Sequence, residues 1–345
     1  MMPGWQLLPS AAAALLLASA AAATSISLDG EWQLQRTAIS GGGPDGAGPA
    51  RGAKLAAAVP GTVQGALFAA GAAPDPQFGR NQLAVYVAAA SDTYTYTRQF
   101  ATPAACITPG ARCELVFGGI DTAATVRLNG LLVGKANNMH LRFLFDVTKE
   151  LTQSAGTASS KNTLEVEIEP AVQYAQREAA ANGDPNCTMH TRTYWPEKWG
   201  HGTKCSSYIR KNTGSFGWDC APAYMTAGIW KSVSLRVVRN AVIDLVAPQI
   251  SGSVNPKNPD SSNEFDVEVR VFVVAATAGM ATVSVAGSWS ADATTSSKVQ
   301  LQPSTASTPQ LVTVNLSASN VKLWWPHGTE GARRLGISRY NLTTT

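Results

Sequence analysis

Hydrophobic and polar residues alternate with a period of two along most of the chain. In "NTLEVEIEP", Leu164, Val166 and Ile168 fall on one face and Glu165, Glu167 and Glu169 on the other. In "HLRFLFDVT", Leu141, Phe143, Phe145 and Val147 share a face, and "DTYTYTRQF" sets Tyr94, Tyr96 and Phe100 against threonines. Strict alternation is the signature of strands that bury one face. "TVRLNGLLVG" predicts a hairpin, because Asn129-Gly130 suits the two positive φ values of a type I′ turn. Strands of this kind recur through residues 25–240 and predict a β-sandwich of the jelly-roll kind. Two helices interrupt them. "PGTVQGALFAAG" (60–71) and "PAVQYAQREAAANG" (170–183) each carry Pro early and Gly at the end, as short helices capping the sandwich should. After Asn240 the character shifts to regular short strands. "FDVEVRVFVV" alternates Val267, Val269, Val271 and Val273 against Asp266, Glu268 and Arg270; "MATVSVAGSW", "QLVTVNLSAS" and the terminal "RYNLTTT" follow. This pattern predicts an immunoglobulin-like sandwich over 241–345. The fold class expected is therefore all-β, a jelly-roll (galactose-binding-like) sandwich over 24–240 followed by the immunoglobulin-like one.

Composition adds a compartment. Only 14% of the 345 residues are charged and the net charge is +4, with no Lys/Arg run, which argues against a nucleic-acid partner. The opening "MMPGWQLLPSAAAALLLASAAAATSISLDG" has an apolar run of signal-peptide length with a small-residue cleavage site at Ala21-Ala22-Ala23. It is too short for a membrane anchor, so residues 1–23 are expected to be a signal peptide, and no membrane partner is expected. In an exported chain cysteines mostly pair. Cys106 and Cys113 bracket the turn-like "ITPGAR" and can staple a hairpin; Cys187 and Cys205 bracket a long aromatic insertion and can close it; Cys220 is left over. Asn186, Asn315 and Asn341 begin N-glycosylation sequons, in keeping with the secretory route.

Most short motifs do not support chemistry. Gly41, Gly43 and Gly46 spell G-x-G-x-x-G, but "PDGAGPAR" cannot open the helix that a dinucleotide loop requires, so no cofactor is expected. His190, His201 and Cys205 fit no zinc spacing, and loop histidines beside a disulfide are the better reading. Asn263-Glu264 begins a strand after a Ser/Pro-rich linker and reads as a solvated edge, since a retaining glycosidase needs a second carboxylate about 5 Å away. The stretch "GSFGWDCAPAYMTAGIW" is different. An indole stacks on the apolar face of a sugar ring while a carboxylate accepts its hydroxyl hydrogen bonds, and Trp218 beside Asp219 is the smallest unit that does both. The competing reading is a core tryptophan with an aspartate capping a turn. In "AGIW", Gly228 permits a close approach and Trp230 is expected to start the strand "WKSVSLRVV".

Several stretches, in order, resemble the N-terminal half of the β-mannosidases of glycoside hydrolase family two: "LDGEWQL", "VPGTVQGAL", "DPQFGRNQ", "VFGGIDTAATVRLNG", "ANNMHLRFLFDVT", "IRKNTGSFGWDCAPAYMTAGIW" and "LWWPHG". The insertion bracketed by Cys187 and Cys205 is most similar to that of the lysosomal animal-type enzymes. The resemblance implies that Trp218 and Asp219 help bind a terminal mannose beside a catalytic (β/α)₈ barrel, with a mannose-terminated oligosaccharide as partner and two barrel glutamates as catalysts. No position in this sequence matches either glutamate, so no catalytic residue is expected here and the barrel is expected to be absent. Two positions depart from the family pattern: the second Trp of Gly-Trp-Asp-Trp-Gly is Cys220, and the Gly after it is Ala221. A thiol has no stacking face, which weakens packing or sugar contact next to Asp219.

Overall fold

The computed structural model describes residues 24–38, 50–79, 81, 92–154, 161–188, 205–217, 223–252, 264–319, 321–324, 326 and 340–345. Two sheets form the first sandwich, and all their pairings are antiparallel. One sheet has the order β1 (Thr24–Ser27), β10 (Val233–Val238), β5 (Arg112–Phe117), β8 (Phe143–Asp146). The other has the order β3 (Lys54–Val59), β2 (Gly30–Ala38), β4 (Thr93–Ala101), β9 (Lys161–Ile168), β6 (Ala124–Leu128), β7 (Leu131–Ala136). The alternating residues meet between them. Trp32, Leu34, Tyr94, Tyr96, Leu164, Val166 and Ile168 pack against Leu115, Phe117, Leu235 and Val237 in one core. The β6–β7 hairpin turns through Asn129 (φ 54°) and Gly130 (φ 79°), the two positive φ values its sequence predicts.

Both expected helices form, as α1 (Val63–Ala69) and α3 (Ala171–Ala181). Thr62 caps α1 by accepting from the Gly65 amide at 3.0 Å. A third helix, α2 (Thr148–Ser154), buries Leu151 and has no apolar periodicity in its sequence to announce it. Two further details differ from expectation. Trp230 lies ahead of its strand, which begins at Val233, because its indole N–H is donated to the Met139 carbonyl at 3.2 Å. Leu141 also lies before β8 and is exposed rather than sharing the buried face of its neighbours. Disulfides join Cys106 to Cys113 and Cys187 to Cys205, with Cα–Cα distances of 5.4 and 5.0 Å.

The second sandwich is built from two three-stranded sheets: β11 (Ala241–Gly252), β12 (Glu264–Ala275), β15 (Gln310–Ser319), and β14 (Thr294–Leu301), β13 (Gly279–Gly287), β16 (Leu342–Thr344). Val267, Val269, Val271 and Val273 of β12 fill its core with Val283, Val285, Val312 and Val314.

Charged side chains join the sandwiches. Arg112 donates to the Ser304 carbonyl at 2.6 Å and the Ala275 carbonyl at 3.3 Å, both in the second sandwich. It also bonds the buried Glu114, which accepts from Arg236; Arg236 reaches Asp244 at 2.5 Å, and Arg142 bonds the same carboxylate. Five charges with two acceptor carbonyls thus form one network along the junction.

Arg112→Met removes the donor to both carbonyls and is expected to cost about 1.5–3 kcal/mol, the range for hydrogen bonds to charged groups. Calorimetry should show the two sandwiches melting further apart in temperature than in the wild type; an unchanged trace would mean that the arginine does not couple them. The core also sets an alkaline limit. Burial is the main cause that raises the Tyr94 hydroxyl to about 12 and the Tyr96 hydroxyl further. An unfolded tyrosine loses its proton near 10. The stability these neutral hydroxyls contribute is therefore complete below pH 10 and lost as pH rises from there toward 12. Urea midpoints taken across that interval should fall, and the fall should shrink in Tyr94→Phe.

Candidate functional site

Trp218, Asp219, Cys220, Ala221 and Pro222 lie outside the described residues; the chain on either side of them is described. On the leading side, the Met139 amide donates to the Arg210 carbonyl at 2.9 Å. Asn212 then caps a 3₁₀ turn, Thr213–Phe216, by accepting from the Gly214 amide, and Gly217 leaves the turn at φ 99°. On the trailing side, Gln64 of α1 grips the backbone with both ends of its amide. Its Nε2 donates to the Met225 carbonyl at 2.7 Å, and its Oε1 accepts from the Ala227 amide at 3.2 Å. The Gly61 amide donates to the Ile229 carbonyl and the Val63 amide to the Ala227 carbonyl. Gly228 must be glycine: at φ 155° an added Cβ would sit 2.5 Å from the Gly61 carbonyl oxygen. The two sides are joined directly where the Tyr224 amide donates to the Ser215 carbonyl at 3.0 Å. Beneath them lies a small core of Ala171, Ala175 and Ala179 from α3, the Cys187–Cys205 disulfide, Ile209, Phe216 and Met225.

A buried ion pair ties this arrangement to the sandwich. Lys211 donates to both carboxylate oxygens of Asp121, at 2.6 and 2.5 Å, and to the Thr226 carbonyl at 2.7 Å. Thr226 donates its hydroxyl to Asp121 Oδ2 at 2.8 Å, and Thr122 donates its own to Oδ1. The Lys211 and Asp121 side chains are 0% and 2% exposed. Backbone bonds reinforce the joint, since Asp121 and Gly228 exchange amide-to-carbonyl bonds at 2.8 and 2.9 Å. Burial pushes the Lys211 ammonium below the ordinary lysine value, while the Asp121 charge and its hydrogen bond pull it back up. With both side chains of the pair removed from solvent, its charges are spent on each other and on the two threonines. What it can do is fix Lys211 and Thr226, seven residues before Trp218 and seven after Asp219, to one point on the sandwich.

The remaining sequence candidates are dispersed. Asn186, Asn315 and Asn341 are exposed; Asn315 stands on the outer face of β15. Glu264 is exposed at the start of β12, and Cys205 is held in its disulfide. Gly41, Gly43, Gly46, His190, His201 and Asn263 lie outside the described residues. Sequence reasoning missed the Lys211–Asp121 pair. Both residues stand in the stretches that carry the family resemblance, but 90 positions separate them and only the fold brings them together.

Comparison with known proteins gives the family and the fold. A family model described as the glycosyl hydrolase 2 galactose-binding domain-like family matches residues 32–231. The β-mannosidase of Bos taurus is 31% identical over 310 residues, covering 88% of this chain and 31% of the cattle protein. The chain thus spans about a third of that relative's length. Among solved structures, the β-D-mannosidase of Dictyoglomus thermophilum superposes with a TM-score of 0.66 at 23% identity, over 93% of this chain and 34% of its own. The Amycolatopsis orientalis exo-chitosanase CsxA superposes with a TM-score of 0.56 at 18% identity, over 93% of this chain and 32% of its own. With the family match running through both shoulders of the Trp218–Asp219 segment, the chain belongs to the glycosyl hydrolase 2 family.

Proposed function

We propose that the chain is the N-terminal portion of a β-mannosidase, a retaining glycoside hydrolase that releases terminal β-D-mannose from oligosaccharides. The observation that carries this reading is the 31% identity to the Bos taurus β-mannosidase across 88% of the chain; the likeness to the exo-chitosanase is one of fold. On this reading residues 1–23 are a signal peptide, 24–240 the sugar-binding jelly roll and 241–345 the immunoglobulin-like sandwich. The protein follows the secretory route to the lysosome or the cell exterior, with glycans on Asn186, Asn315 and Asn341. Trp218 and Asp219 contribute to the pocket that holds the mannose, by stacking and by accepting hydroxyl hydrogen bonds. The two carboxylates of double displacement must stand about 5 Å apart on opposite sides of the scissile bond. The proposal assigns them to a barrel domain that the 345 residues do not include.

In this division of labour the Lys211–Asp121 pair is a positioning device. It ties the stretches on either side of Trp218 and Asp219 to the sandwich, and its desolvation is compensated by the hydrogen bonds within the pair and with Thr122 and Thr226.

The purified chain should release no mannose from an aryl β-mannoside, and heat-labile release would overturn the proposal. In calorimetry the chain alone should show little affinity for methyl β-D-mannoside at the Trp218–Asp219 pocket, because the barrel supplies most of it, and Asp219→Ala should leave the titration unaltered. Affinity abolished by Asp219→Ala would instead favour a stand-alone carbohydrate-binding module. Lys211→Met strands the Asp121 charge in the interior and should cost about 3–5 kcal/mol by urea unfolding, whereas Lys211→Met with Asp121→Leu should recover much of the loss. A single variant as stable as the wild type would show that the pair holds nothing in place.

A further inference from the structure

The outer face of the six-stranded sheet holds a polar concavity that none of the residues of the buried Lys211–Asp121 cluster lines. It is a cleft of about 390 Å³ whose floor includes Thr125, Lys135 and Glu167 and whose wall is Tyr174, Arg177 and Glu178 of α3. That volume lies within the roughly 300–1,000 Å³ of small-molecule sites. Strand register aligns the floor. Thr125 of β6 is opposite Glu167 of β9 on one side and opposite Lys135 of β7 on the other. All three face away from the core, because Ala124, Val126, Val166, Ile168 and Ala136 on the alternate positions are buried. Neighbouring strands are roughly 4.8 Å apart, so the carboxylate-bearing and ammonium-bearing positions stand about 10 Å apart with a hydroxyl between them.

The wall is already committed. Arg177 bonds the Glu169 carboxylate through two nitrogens, comes within 3.8 Å of Glu178, and lies over the Tyr174 ring at 5.1 Å from its centroid. The floor is not: among the described residues, neither Glu167 nor Lys135 has an ion-pair or side-chain hydrogen-bond partner. An anion would meet Glu167, and a metal cation would meet Lys135. The two charges of an α-amino acid are too close together to reach both positions. A neutral sugar fits this floor, since each of its hydroxyls both donates and accepts and they are spread around a ring. We propose that this cleft binds a neutral mono- or disaccharide through Glu167, Thr125 and Lys135, independently of Trp218 and Asp219. The proposal does not rest on the mannosidase reading and could stand without it.

The test is titration of the 345-residue chain with β-1,4-mannobiose, cellobiose and lactose, followed by calorimetry and by amide chemical shifts. At least one sugar should bind saturably, with shifts centred on β6, β7 and β9. Glu167→Ala and Lys135→Ala should each weaken that binding about tenfold or more, the loss of a hydrogen bond to a charged group. Glu167→Gln, which keeps the shape of the side chain, should weaken it less, and Asp219→Ala should leave it within about twofold. Both alanine positions are exposed, and unchanged melting temperatures would establish that the fold is intact. Absence of saturable binding by all three sugars, binding indifferent to Glu167 and Lys135, or binding lost in Asp219→Ala would each overturn the proposal.

Discussion

The arrangement around Trp218 and Asp219 depends on one buried charge pair. Lys211 and Asp121 are both removed from water, and such a pair is tolerable only when its donors and acceptors are matched. Here they are: the ammonium bonds the carboxylate and the Thr226 carbonyl, and the carboxylate accepts two hydroxyls besides. Hydrophobic packing alone would hold the 205–217 and 223–230 stretches against the sandwich without choosing their position along it. An ion pair with this geometry chooses, because displacement by a residue would leave two charges buried and unpaired. Gly228 adds a steric condition, since only a residue without Cβ can lie against the Gly61 carbonyl.

The same logic operates at the junction of the sandwiches on a more open scale. Their cores are separate valine- and leucine-rich clusters, and neither core alone specifies how the other is placed. Arg112 supplies that through two backbone carbonyls of the second sandwich, while Glu114 and Asp244 hold the neighbouring arginines. Apolar alternation makes each sandwich; long-range polar contacts set the second sandwich and the 205–217 and 223–230 stretches against the first.

This division explains what could be read from the sequence. Alternation in 162–170 and 265–274 announced β9 and β12 because one face of each is fully buried. Asn129-Gly130 announced its hairpin because few residue pairs adopt two positive φ values. Strand β14, "TTSSKVQL", was silent, since only Leu301 of its residues is buried, and α2 was silent with Leu151 as its one core residue. The aromatic ring of Trp230 suggested a strand start, but its side chain serves a loop carbonyl instead. At the site, the family resemblance drew attention to Trp218 and Asp219 by their chemistry. It did not reveal Lys211, Asp121 or Thr226 as partners, because which charges meet is a property of strand order and register. The row formed by Glu167, Thr125 and Lys135 was hidden for the same reason: period two puts each on an outer face, and only pairing across β9, β6 and β7 makes them neighbours.

The central claim is that this framework presents an indole and a carboxylate to a sugar. The most direct measurement is the position of the Asp219 side chain in the electron density of the crystalline chain. The account predicts a carboxylate open to solvent at the rim of the sandwich, with the Trp218 ring beside it. A carboxylate turned inward, bonded to backbone amides and remote from any groove, would contradict the account and leave the fold as its surviving part.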